Sequence, residues 1–149
     1  MNEILNEENI ILNKKLSNKY EAIVQAGTIL YENGYVEEEY IKDMIDREHV
    51  ISTYIGNMIA IPHGIEGCDE HILKSGISII QVPDGVSFGE EKPVYLIIGI
   101  AGKNNEHMDI LMNISLVCCE VENVHKLIKC ENKSEIMNMF NEFCDQEKI

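Results

Sequence analysis

The sequence of 149 residues lacks a long apolar run. No stretch approaches the roughly 18 to 20 consecutive apolar residues of a membrane-spanning helix. The acidic, asparagine-rich start at residues 1–9 has neither the basic residues nor the apolar centre of a signal peptide. We therefore expect a cytoplasmic protein.

Basic side chains are also scarce. The chain has 12 Lys and Arg against 26 Asp and Glu, which gives a formal net charge of −14. Nucleic-acid binding needs Lys and Arg to neutralise phosphates, so this class of function is disfavoured. Partners with basic faces are expected, because complementary fields raise association rates. Acidic residues also simply keep a protein soluble.

The motifs of several enzyme classes are missing. There is no GxSxG, P-loop, GxGxxG or HExxH pattern, so hydrolase, nucleotide-dependent and zinc-peptidase chemistry have no support. The cysteines are odd in number and have no CxxC spacing, so we expect reduced core or surface thiols. They are Cys68, Cys118, Cys119, Cys130 and Cys144.

The pattern that is present predicts one α/β domain over residues 1–149, a size sufficient for a core without disulfides. Strands are predicted at 9–12, 58–61, 76–82 and 94–101, with 9–12 at an edge. Helices are predicted after Ser17, at 37–47, 106–119 and 124–130, and from a cap at Ser134, with Ile136, Met139, Phe140 and Phe143 on one side of the last.

Two features of these strands bear on the sheet. Residues 94–101 are almost continuously apolar, which indicates a central strand buried on both faces. Pro83, Asp84 and Gly85 have turn chemistry and are expected to end strand 76–82. No crossover helix joins these two strands, so we expect an antiparallel pair within a mixed sheet.

An apolar strand stops abruptly at Pro62, His63 and Gly64. Pro62 favours extended geometry at Ile61, and Gly64 allows a turn without a Cβ penalty. His63 is then expected at the end of a strand, on a loop held by a rigid scaffold, where reactive groups concentrate. The alternative is a surface histidine in an ordinary turn.

His107 follows a second predicted strand. If the two strands are neighbours, their carboxyl ends bring His63 and His107 to one edge of the sheet. No third metal ligand is evident, because Glu106 and Asp109 point away from His107 on a helix. Two imidazoles without a metal can accept and pass on a phosphoryl group, since a histidine of ordinary pKa is largely neutral at cytoplasmic pH.

Four motifs occur in a specific order: STYIGN at 52–57, IAIPHG at 59–64, GVSFGEE at 85–91, and IGIA at 98–101 followed by NNEH at 104–107. Together they resemble the mannitol/fructose class of enzyme IIA proteins, the cytoplasmic phosphocarriers of the bacterial phosphoenolpyruvate-dependent sugar phosphotransferase system. The resemblance spans nearly the whole chain. It implies a mixed sheet of about five strands flanked by helices on both faces, with no cofactor and no metal.

The resemblance also implies roles for individual residues. His63 would take the phosphoryl group from phospho-HPr, and His107 would hydrogen-bond the imidazole or the phosphate. Arg47 occupies the place of an arginine that is associated with the site in mannitol-type members, although arginine near a helix C-terminus is also a routine dipole partner. Some relatives carry a glutamate where this chain has Asn57, so the role of that acid does not transfer.

The implied partners are HPr and the cysteine-bearing enzyme IIB of a mannitol permease. The chain looks like a stand-alone IIA subunit, and the STYIGN, GVSFGEE and NNEH stretches favour the mannitol type. One alternative is a fructose-type or nitrogen-regulatory IIA that acts by phosphorylation-dependent protein binding. Another is a binding domain that has kept the scaffold without turnover.

Overall fold

A five-stranded sheet forms the centre of the protein, in the order β1-β4-β5-β3-β2. The computed structural model describes residues 4–104 and 106–146, with side chains to residue 141. The strands are β1 (Ile10–Ile11), β2 (Tyr54–Gly56), β3 (Ile59–Ala60), β4 (Gly76–Ser87) and β5 (Pro93–Ala101). The helices are α1 (Lys19–Glu32), α2 (Glu39–Val50), α3 (His107–Cys118), α4 (Val121–Lys129) and α5 (Lys133–Gln146).

The sheet is mixed, as predicted. β1 runs parallel to β4 and β3 runs parallel to β5, whereas the β4–β5 and β2–β3 pairs are antiparallel. β1 lies at an edge and the apolar β5 lies in the middle. The predicted edge strand, central strand and antiparallel pair are therefore all confirmed.

Helices cover both faces of the sheet because side chains alternate in direction along each strand. On one face, α1 and α2 pack over a core that includes Ile80, Val82 and Ile97. On the other face, α3, α4 and α5 pack over Ile79 and Ile98 among others. Full burial of one such side chain stabilises the fold by about 1.5–3 kcal/mol, so these two cores hold the layers together.

The predicted turn at Pro83, Asp84 and Gly85 is wrong. β4 continues through these residues, and its pairing with β5 is interrupted between Gln81 and Val86 before it resumes. Proline and glycine are tolerated in a strand where the pairing bulges, because no ladder hydrogen bond is needed there. The chain reverses later, where Phe88 N donates to Lys92 O at 3.0 Å.

Two predicted helix caps are displaced. Asn18, not Ser17, caps α1, and its side chain accepts a hydrogen bond from the N–H of Glu21 at 3.0 Å. Asn132, not Ser134, caps α5. Its side-chain oxygen accepts a hydrogen bond from the N–H of Glu135 at 3.0 Å. Asparagine and serine are comparable caps, so local composition alone did not distinguish the neighbouring candidates.

The other helix boundaries are shifted by a few residues. α2 covers Glu39–Val50 instead of 37–47, and α4 begins at Val121 instead of 124. α3 begins one residue after the predicted start and ends one residue earlier. On the last helix, Ile136 and Phe140 are fully buried as expected. The side chain of Phe143 lies outside the described residues.

Gln81 is a polar residue inside the core. Its side-chain amide donates to Leu127 O at 3.0 Å and to Cys130 O at 2.9 Å, and its oxygen accepts from Asn13 N at 3.2 Å. A buried amide is stable only when it is paired in this way. One side chain thereby joins the segment after β1 to the end of α4.

The thiols agree with the expectation from composition. Cys68, Cys118 and Cys130 are buried and Cys119 is exposed, and all four are free. The side chain of Cys144 lies outside the described residues. Across residues 4–104 and 106–146, no helix combines the length and the apolar character needed to cross a membrane.

Candidate functional site

His63 lies just past the carboxyl end of β3. The chain here stays beside β5, because Ile100 N donates to Pro62 O at 2.9 Å and His63 forms a parallel bridge with Ile100. The ring Nδ1 of His63 is 2.8 Å from Ile61 O. A carbonyl oxygen only accepts, so Nδ1 carries the proton and Nε2 retains the lone pair.

His107 is the first residue of α3, at the same edge of the sheet. The ring centroids of His63 and His107 are 4.8 Å apart, with the planes tilted by 44°. The two imidazoles meet because the strands before them, β3 and β5, are neighbours in the sheet and run parallel. Nε2 of His107 is buried and has no hydrogen-bond partner among the described residues. This nitrogen therefore has an unused hydrogen-bonding capacity at the site.

Both imidazoles are held neutral by their surroundings. Burial lowers the pKa of His63, and the neighbouring His107 and Arg47 lower it further, whereas the hydrogen bond that Nδ1 donates to Ile61 O raises it. Burial and then Arg47 lower the pKa of His107. A neutral imidazole with a fixed tautomer is a nucleophile at neutral pH.

Arg47 lies near the C-terminus of α2 and lines the same cavity as the two histidines. Its Nη1 donates to Ile51 O at 2.7 Å, which satisfies a carbonyl near the helix end. The remaining guanidinium N–H groups suit an oxyanion such as phosphate, because the planar guanidinium presents several donors at once. The structure thus brings together all three residues singled out from the sequence.

The cavity has a volume of about 420 Å³ and is bounded by both histidines, by Arg47 and by the loop after His63. Among the side chains that the structure describes, in residues 4–104 and 106–141, no three of His, Cys, Asp or Glu are grouped as metal ligands. The arrangement offers a neutral nucleophile, a second imidazole and a cation. These groups fit a small anion of high charge, such as a phosphoryl group.

Tyr40 belongs to the site although the sequence indicated only the apolar side of a helix. Its hydroxyl donates to Ile100 O at 2.6 Å and accepts from Gly64 N at 2.8 Å. Burial raises the pKa of Tyr40, so the hydroxyl stays protonated and remains a donor. It ties the residue after His63 to the end of β5. No local pattern marks such a tyrosine, because its partners are distant in the sequence.

Gly64 is needed for close approach and not for a turn. Its φ is not among the positive values, unlike those of Gly56 and Gly67. A Cβ at Gly64 would lie 2.5 Å from both the Tyr40 ring and Cys68 Sγ. The prediction that Gly64 allows the backbone to turn is therefore wrong. Glycine is needed here because a side chain would push Tyr40 away from the site.

The segment leading into α3 is fixed by two further contacts. Ser75 Oγ donates to Glu106 Oε1 at 3.0 Å and accepts from Lys103 N at 2.8 Å. A Cβ at Gly102 would lie 2.5 Å from the backbone N of His107. Small and polar residues thus hold His107 close to the end of β5.

A second histidine interaction anchors the loop that follows His63. Nδ1 of His71 is 2.6 Å from Oδ2 of Asp43 on α2. The hydrogen bond to Asp43 raises the pKa of His71. Ile65 N also donates to Asp43 O at 3.1 Å. One residue of α2 therefore holds the loop at two points.

Sequence comparison places the chain among known proteins. Residues 3–143 match the family model described as phosphoenolpyruvate-dependent sugar phosphotransferase system, EIIA 2. The mannitol-specific phosphotransferase enzyme IIA component of Geobacillus stearothermophilus is 56% identical over 139 residues, which cover 93% of this chain and 96% of that protein.

Comparison with solved structures agrees with the sequence match. The crystal structure of IIA mannitol from Escherichia coli superposes with a TM-score of 0.86 at 38% identity, covering 91% of this chain and 98% of the other. The complex of enzyme IIAMTL and phosphorylated enzyme IIBMTL from Escherichia coli matches with a TM-score of 0.87 at 37% identity, covering 91% of this chain and 96% of that one. The resemblance seen in the sequence motifs is confirmed by these matches.

Proposed function

Because the chain belongs to the EIIA 2 family of the phosphoenolpyruvate-dependent sugar phosphotransferase system, we propose that it is a phosphotransferase component that carries a phosphoryl group on His63. The group comes from phospho-HPr and passes to the cysteine of a mannitol-specific enzyme IIB during mannitol uptake. The observation that carries this proposal is the His63 ring, which is kept neutral and in one tautomer. Its centroid lies 4.8 Å from the centroid of the His107 ring.

The transfer begins at Nε2 of His63. Its lone pair forms the new N–P bond, while the N–P bond of phospho-HPr breaks and returns its electron pair to the ring of HPr. Nδ1 keeps its proton throughout, because it remains hydrogen-bonded to Ile61 O at 2.8 Å. In the second step a cysteine thiolate of enzyme IIB attacks the phosphorus, and the electron pair of the N–P bond returns to Nε2.

His107 and Arg47 stabilise the charge on the transferred group. The buried Nε2 of His107 lies beside His63 and can donate to a phosphoryl oxygen when it carries the proton. The side chain of Glu106, the residue before α3, accepts no hydrogen bond from the first N–H groups of this helix. Helix N-termini of this kind favour anions. Arg47 adds a positive charge to the same cavity.

The partners follow from the relatives. The Geobacillus stearothermophilus relative is named mannitol-specific, and the matched Escherichia coli complex contains phosphorylated enzyme IIBMTL. We assign the present chain a mannitol-type IIB as acceptor and HPr as donor. Both exchanges take place in the cytoplasm, and residues 1–149 act as one IIA domain.

The test is phosphoenolpyruvate-driven labelling with purified enzyme I and HPr, followed by addition of mannitol-type or fructose-type IIB in parallel. We expect one label per chain, and discharge of that label to the mannitol IIB at the higher rate. The His63→Ala variant should take up no label. His125→Ala is the matched control, because His125 is exposed on α4, outside the cavity, and its loss should leave labelling intact.

Two results would contradict the proposal. Label that persists in a folded His63→Ala protein would remove His63 as the acceptor. Preferential discharge to the fructose IIB would reassign the sugar while leaving the phosphocarrier role in place.

A further inference from the structure

Glu48 is a charged residue that is almost completely buried next to the site. It follows Arg47 on α2 and is 4% exposed. A buried carboxylate is retained only when strong partners compensate for its lost hydration. Its Oε1 accepts from Thr53 N at 2.9 Å and from Thr53 Oγ1 at 2.7 Å, and its Oε2 lies 3.5 Å from Lys19 Nζ. Glu48 thus fixes both the backbone and the side chain of Thr53.

Thr53 is in turn connected to the nucleophile. Thr53 O accepts from Ile61 N at 3.0 Å, and Ile61 O accepts from Nδ1 of His63 at 2.8 Å. Thr53 is itself only 3% exposed. A continuous set of hydrogen bonds therefore runs from the buried carboxylate, through two residues, to the imidazole.

The charge of Glu48 also acts on His63. Burial is the main cause that lowers the pKa of His63; among the charged side chains, Arg47 lowers it and Glu48 raises it. When Nε2 bonds to phosphorus and Nδ1 keeps its proton, the ring acquires positive charge. A carboxylate held nearby in a poorly solvated setting favours that state.

We propose that Glu48 is a positioning residue for phosphoryl transfer: through Thr53 and Ile61 it holds the His63 ring in the tautomer that leaves the lone pair on Nε2. The inference rests on the proposed role of His63 as phosphoryl acceptor. Glu48 does not touch the phosphoryl group. Glu48 determines where the Ile61 carbonyl lies, and this carbonyl determines which ring nitrogen of His63 keeps its lone pair free.

The test combines nitrogen NMR of the His63 ring with labelling by phospho-HPr. In Glu48→Leu we expect the single Nδ1–H tautomer to give way to a mixture, and the labelling rate to fall about 10-fold or more, as misplaced reacting groups cause in other enzymes. Glu48→Gln keeps an acceptor oxygen for Thr53 but loses the charge, so it should retain the tautomer, and its labelling rate should fall less than that of Glu48→Leu. Thr53→Val, which loses only the hydroxyl, is the second variant if Glu48→Leu does not fold.

Asp46→Asn is the matched control, because Asp46 is an acid of the same helix that pairs with Lys42 at the surface. It should change neither the tautomer nor the rate. A folded Glu48→Leu protein with an unchanged tautomer would overturn the inference, even if its labelling is slow. If Glu48→Leu loses the tautomer but HPr labels no variant, the positioning role is supported and the proposed function is the part that fails.

Discussion

The His63–His107 pair and the Asp43–His71 pair differ in what surrounds the imidazole. The first two rings lie in a partly buried cavity with Arg47, and burial lowers the pKa of each. His71 lies against a carboxylate at 2.6 Å, and that hydrogen bond raises its pKa. The surroundings therefore favour the neutral form of the imidazole in one place and its protonated form in the other.

The two pairs are also mechanically related. His63 stands at the start of the loop and His71 near its end, where Asp43 fixes the chain against α2. The two environments coexist on one short loop because α2 presents the Asp43 carboxylate to one end of the loop and the Arg47 guanidinium to the other. The opposite charges of Asp43 and Arg47 on α2 thus give His71 and His63 different environments.

The largest effect is expected when the reactive pair is broken at His107. In His107→Ala the donor beside His63 is lost, and removal of one such donor lowers the rate of transfer by about 10²-fold or more. The variant should still fold, since His107 is not part of either core cluster. Rapid-mixing measurement of labelling by phospho-HPr tests this. Unchanged rates of transfer both from phospho-HPr and to IIB would remove His107 from the site.

A smaller effect is expected from the tyrosine that ties the reactive edge together. Tyr40→Phe leaves Ile100 O and Gly64 N without their shared partner, and each unpaired buried group costs about 1–3 kcal/mol. Urea denaturation should report this loss. Tyr31→Phe is the control, because Tyr31 is 42% exposed and should unfold like the unmodified protein. Equal stability of the two variants would argue against the bridging role of Tyr40.

A titration of the three rings tests the difference in environment directly. NMR should give His63 and His107 pKa values below the ordinary value of 6.5, and His71 a pKa value above it. Labelling of His63 should therefore persist as the pH falls from 7 to 6.5 and decline only as it falls through the lowered pKa. Asp43→Asn should lower the pKa of His71. A His63 pKa above 6.5 would contradict the assignment of a neutral nucleophile.

The smallest effect concerns stability at the anchor. His71 has a raised folded-state pKa, so its contribution to stability is fully present below its unfolded pKa of about 6.5 and is lost as the pH rises through the folded-state pKa. His71→Asn should therefore destabilise the protein more at pH 6 than at pH 9, as judged by urea midpoints. Equal destabilisation at both values would show that the ion pair has no role.

Much of the site could be predicted from sequence because strand ends are local features. The apolar run of β5 and the break at Pro62 and Gly64 placed His63 and His107 at strand ends before the strands were known to be neighbours. The turn predicted at Pro83 is wrong because β4 resumes its pairing with β5 after this proline. That pairing is a tertiary property, which the local sequence does not show. The partners of Tyr40 are distant in the sequence, and although Thr53 is only five residues from Glu48, no residue pattern shows that this carboxylate is buried.

Gln81 has a consequence for the dynamics of the fold. Its amide joins Asn13, after the edge strand, to the carbonyls at the end of α4, on a different layer. Neither segment can open alone without leaving part of this amide unpaired in the core. We expect the backbone amides of both segments to exchange their hydrogens with solvent together, as one cooperative unit that ties the amino-terminal edge to the carboxyl-terminal half of the chain.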